Sequence, residues 1–131
     1  MKLRGSSLAL VGVVAMLLVG SLVSAEPGTT IKLDVPFSFV AGGKELPSGP
    51  YQFRVYGTDQ AIVSIADTKG GKPVTAAATT RLADLGSSKV DVVFDVSEGK
   101  HDLSEIHIPG SDGYAFEGAP GKHTHAEVPG Q

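Results

Sequence analysis

Residues 35–51 read VPFSFVAGGKELPSGPY, and the way this stretch divides decides the fold. Upstream of it, the odd positions Ile31, Leu33, Val35, Phe37 and Phe39 are apolar, while Lys32, Asp34, Pro36 and Ser38 lie between them. A period of two with one apolar side is the pattern of a strand with one face buried and one wet. Pro36 has no N–H to give to a ladder, so the strand must lie at an edge there or bend into two pieces. The glycines of 41–44 supply a turn, because glycine alone reaches positive φ without steric cost. Pro47 suits the second position of a type I turn and Gly49 its fourth. Tyr51, Phe53 and Val55 then restart the alternation against Gln52 and Arg54.

Working outward, the same period recurs. Further strands are expected at 62–65, at 74–80, at 90–96 with Val90, Val92, Phe94 and Val96 on one face, at 105–108, and briefly at 114–116. Glycine, Asp and Ser clusters at 57–60, 69–73, 97–100 and 109–113 separate them. Short strands punctuated in this way predict an all-β domain, a single antiparallel sandwich or partly open small barrel of about seven or eight strands. Helical signal is confined to one turn at 81–85. The stretch 117–131, EGAPGKHTHAEVPGQ, holds three glycines, two prolines and scattered apolar residues. It reads as a flexible, solvated C-terminal tail beyond a β-domain spanning 26–116.

Residues 1–25 have the layout of a secretory signal peptide. Lys2 and Arg4 precede an apolar run from Leu8 to Val23, and Ser24 and Ala25 end it with small side chains. The run is shorter than the roughly 20 residues a helix needs to cross a bilayer, so cleavage after Ala25 and a secreted or periplasmic product without a membrane span are expected. No cysteine follows the run, which excludes a lipid anchor, and Cys 0 leaves no disulfide either. Without Lys2 and Arg4 the chain carries nine Lys and Arg against 14 Asp and Glu, a net charge of −5. An acidic, dispersed charge argues against nucleic acid or anionic lipid as a partner.

Four histidines are the candidates for chemistry. His123 and His125 form His-Thr-His, and side chains two apart on an extended chain project to the same side. With His107 or a carboxylate such as Glu127 they form a candidate site for zinc, copper or nickel, since imidazole suits all three. Blue-copper chemistry needs a cysteine ligand and is excluded. His101, Asp102 and Ser104 are neighbours in sequence without being a triad, and neither a Gly-x-Ser-x-Gly elbow nor a thiol is present. Ser111-Asp112-Gly113 lacks the alternating oxygens of a calcium loop. No glycine pattern forms a phosphate loop. No catalytic residue and no cofactor are expected. Phe37, Phe39, Phe53 and Phe94 fall on inward positions as core.

The strand ending Val35-Pro36-Phe37-Ser38-Phe39 and the following Leu46-Pro47-Ser48-Gly49-Pro50-Tyr51 resemble a family of small exported bacterial β-proteins. The family shows V/I-P-F-x-F and L-P-x-G-x-Y, and the segment Leu103 to Ser111 looks like its closing element. His107 stands where that family carries a bulky ring. The likeness extends over 35–116 and implies an exported β-fold. It implies no activity, cofactor or site residue, because the family has none assigned. The function expected from the residues is that of a non-enzymatic envelope or extracellular protein acting through contacts with an unidentified protein partner. Two alternatives are a weak periplasmic metal binder using His123, His125 and His107, and a small carrier of apolar ligands if the domain is an open-mouthed barrel.

Overall fold

A computed structural model of the chain describes residues 29–57, 61–84, 86 and 88–131; the expected signal peptide lies outside them. Eleven strands and no helix occur among the described residues, so no helix there is long and apolar enough to cross a membrane. The strands form two sheets that do not close into a barrel, a β-sandwich. One sheet has the order β1 (Thr29–Val35), β4 (Gly49–Tyr56), β5 (Ile62–Asp67), β6 (Val74–Ala77), antiparallel throughout. The other runs β11 (Thr124–Pro129), β8 (Asp91–Ser97), β9 (Lys100–His107), β10 (Gly113–Ala115), β7 (Thr80–Leu82). The hairpin of β2 (Phe39–Ala41) and β3 (Lys44–Leu46) joins this second sheet at β9 through the parallel pair Val40 and Asp102.

Pro36 marks the place where the chain changes sheets. Before it, β1 pairs with β4; after it, β2 belongs to the opposite layer. Ile31, Leu33, Val35 and Phe39 are buried as their parity requires. Phe37 sits in the crossover and is only half-buried, stacked on the His101 ring at 3.8 Å and edge-on to Phe94 at 5.1 Å. The turn joining β2 to β3 has φ of +58° at Gly42 and +76° at Gly43, positive at both central positions as a type I′ hairpin demands. Gly42 has a second constraint, because a Cβ there would collide with the Thr75 carbonyl oxygen of β6. The tip of the hairpin thus rests on the edge of the facing sheet.

Tyr51 closes the excursion. Its buried ring lies edge-on to Phe39 at 5.1 Å, and its hydroxyl donates to the Pro47 carbonyl at 2.7 Å. Burial, with the Asp67 carboxylate across the ladder adding to it, raises the phenol above its ordinary value and keeps it the donor. Between the sheets the core is filled by Leu33, Phe39, Phe53, Ile65, Phe94 and Ile106, each under 2% exposed.

Three expectations are corrected. The segment 74–80 is not one strand: β6 ends at Ala77 and the chain crosses to the other sheet, the Ala78 N–H bonding to Ala61 in one layer and the Thr79 N–H to Ala115 in the other. The helical turn expected at 81–85 is absent from residues 81–84, since Arg81 and Leu82 are in β7 against β10, and Leu85 lies outside the described residues. The largest correction concerns 117–131, expected as a flexible tail. Residues 124–129 form β11, paired along its whole length with β8, and the Gln131 N–H donates to the Lys32 carbonyl of β1 at 2.8 Å. Residues 124–131 are therefore part of the domain. A ladder partner supplied by β8 satisfies backbone groups that local composition left to solvent.

Candidate metal centre

Strand β8 alternates. Val92 and Phe94 point into the core at 0% exposure, so Val93 and Asp95 point to the outer face. On β11 the same parity puts Ala126 and Val128 opposite Phe94 and Val92, and sets His125 directly across from Asp95. Side chains facing each other on adjacent strands have Cβ atoms about 4.5–5.5 Å apart. Contact between His125 and Asp95 is therefore a consequence of register. The strand β9 on the other side carries one extra residue, Ser104, where the β8–β9 register shifts at Val93 and Phe94. The Ser104 carbonyl accepts from the Phe116 N–H at 2.7 Å, which leads the chain past Asp95 toward β11.

Asp95 lies under that returning segment. Its residue is 4% exposed although it is on the outer face. Oδ2 accepts from the Ala119 N–H at 3.1 Å, and Gly118 packs so closely that any Cβ there would collide with Oδ2. Oδ1 is buried and has no hydrogen-bond partner. Two imidazole nitrogens face it: His125 Nδ1 at 3.1 Å and His123 Nε2 at 3.4 Å. The two rings approach each other edge-on, with centroids 5.0 Å apart. The three candidate ligand atoms all lie within 4.8 Å of one another.

The tautomer of His123 follows from its other nitrogen. Nδ1 is 2.8 Å from the Gly121 carbonyl, which can only accept, so Nδ1 carries the hydrogen. In the neutral ring Nε2 then holds a bare lone pair 3.4 Å from a carboxylate oxygen. Two lone pairs at that distance repel unless a positive charge lies between them, either a proton on the ring or a metal ion. Metal-bound histidines commonly have the second nitrogen tied to a backbone carbonyl, which fixes tautomer and orientation. The two separations from Asp95 Oδ1, 3.1 and 3.4 Å, also suit an ion. Zinc bonds of about 2.0–2.2 Å in a tetrahedron place neighbouring ligand atoms roughly 3.3–3.5 Å apart.

Of the residues singled out in the sequence, His123 and His125 come together and His107 does not join them. His107 ends β9 opposite Asp91, four residues along β8 from Asp95, or about 13 Å of strand. Its Nε2 lies 3.4 Å from Glu105 Oε1. Glu127 is opposite Val93, two residues further along β11 than His125. Asp95 takes the place of both beside the two imidazoles, and nothing local in the sequence points to it, because its position as a candidate ligand depends on a pairing 30 residues away. His101 is occupied by the Phe37 ring. The carrier alternative required an open-mouthed barrel, whereas the two sheets stay separate and Phe39, Phe53 and Phe94 fill the space between them.

Comparison of the chain with protein-family models, with curated proteins and with solved structures gave no match.

Proposed function

We propose that this is an exported, non-enzymatic β-sandwich that binds one divalent transition-metal ion through Asp95 Oδ1, His123 Nε2 and His125 Nδ1. The observation that carries it is the buried Asp95 oxygen, which has no hydrogen bond and two imidazole nitrogens within 3.4 Å. Two imidazoles and one carboxylate are borderline ligands, suited to Zn(II), Cu(II) or Ni(II) rather than to calcium or magnesium, which prefer oxygen. The His125 side chain is 54% exposed, so a fourth position opens to solvent and is available to water. Export rests on the charged and apolar pattern of residues 1–25.

Calorimetric titration of the protein with zinc, copper and nickel tests the proposal. One saturable site with a Kd below about 100 µM is expected, equivalent to more than roughly 5 kcal/mol. Asp95→Asn and His125→Ala should abolish it, and His107→Ala should leave it intact. Absence of saturable binding by all three ions, or equal loss in the His107 variant, would overturn it.

A further inference from the structure

Which parts of the chain supply the ligands has a mechanical consequence. Asp95 belongs to β8, in the body of the second sheet, while His123 and His125 belong to the C-terminal segment. Its strand β11 is the outermost of its sheet and, among the described residues, has β8 as its only ladder partner. Of its six residues only Val128 is buried. Polar ties add to this: the Ala119 N–H on Asp95 Oδ2, the Gly130 N–H on Val90 at 3.0 Å, and Gln131 on Lys32 and Asp34 at 2.8 Å. Seating the strand also covers Asp95 Oδ1 without a hydrogen bond, leaving it only the two imidazole nitrogens at 3.1 and 3.4 Å, and a buried acceptor without a hydrogen bond is costly.

We propose that the ion acts as a clip: binding it fastens β11 to β8, and losing it lets β11 lift away while the rest of the sandwich stays folded. This rests on the metal reading above. With β11 seated, one ion satisfies Asp95 Oδ1 and both imidazole nitrogens together. With β11 lifted, Asp95 returns to water and is parted from the two histidines, so the three-ligand site no longer exists. An ion that binds one of two states in preference shifts the balance toward it in proportion to its concentration over Kd. Free zinc at about 100 times Kd should make lifting of β11 about 100-fold rarer.

Amide hydrogen exchange on the full chain, with and without Zn(II), tests the clip alongside zinc calorimetry. Exchange across 124–129 should slow by about 100-fold on saturation, exchange across β5 should not change, and Asp95→Asn should remove the effect without loss of the fold. Zinc binding by calorimetry with unchanged exchange in β11 would overturn the clip and leave the metal site standing. Equal slowing in β11 and β5 would also overturn it, since the strand would then open only with the whole domain. Persistence of the zinc effect in Asp95→Asn would do the same. Absence of zinc binding would remove the site and the clip together.

Discussion

Residues 35–51 and 117–131 are written in similar letters, with three glycines each and three and two prolines, yet they are held in the fold by different forces. The first stretch delivers rings. Phe39 and Tyr51 are buried, and Phe39 packs on Tyr51, Phe53 and Phe94 with centroids 5.1, 6.3 and 5.3 Å away. Its glycines and prolines shape the backbone so that those rings reach the core. The second stretch delivers one valine and a set of polar groups, and its Gly118 makes room for a carboxylate. Apolar contacts carry no ligand atom for a metal ion to bind. On the metal reading proposed above, a seat made of a carboxylate and two imidazoles responds to the ions dissolved around it.

Breaking the first region should have the largest effect. Phe39→Ala removes a ring that is 1% exposed from between the sheets and should cost about 3–5 kcal/mol in denaturant unfolding. A loss below about 1 kcal/mol would mean that this ring is not core. Breaking the second should cost less. A chain ending at Glu117 loses β11 and the burial of Val128, about 1.5–3 kcal/mol, and in a domain this small each kcal/mol lowers Tm by about 4–8 °C. An unchanged melting temperature would show that β11 contributes nothing to the folded state.

The smallest effect sharpens the contrast within β11. Burial raises the Asp91 carboxyl above its ordinary value, and Glu127 of β11 adds to this, as does Glu105, while His107 and the Val92 N–H oppose it. A raised carboxyl binds its proton more tightly in the folded than in the unfolded chain. Stability from this group is therefore greatest at acid pH, falls as pH rises from the unfolded carboxylate range of about 3.9 through the folded value, and stays reduced above it. Asp91→Asn should accordingly melt higher than the parent at about pH 7 and together with it at about pH 3. A lower melting temperature at neutral pH would contradict this assignment.

Much of the fold was legible because it is local. The two-residue alternation of 31–39, 51–55 and 90–96 named the buried faces, and Pro36 announced a break. The glycine pair of 41–44 announced a hairpin. The crossover hidden in 74–80 was not legible, since valine, threonine and alanine satisfy either layer and only hydrogen bonds to Ala61 and Ala115 separate the two. The candidate site was half legible. His-Thr-His is a local pattern whose spacing puts both rings on one side. Asp95 looks like any outward polar residue of an amphipathic strand, and it becomes a candidate ligand only because β11 comes to lie beside it.

Residue by residue, then, the sequence by itself determined the all-β class, the two-residue period, the buried rings and the turn that carries two glycines, because each depends on neighbours within a few positions. The tertiary structure alone decided that the chain changes sheets at Pro36 and again after Ala77, that the last fifteen residues close the domain, and that Asp95 joins His123 and His125. Those outcomes depend on pairing between segments tens of residues apart. Backbone donors and acceptors, and one buried carboxylate, are there completed by whatever strand arrives.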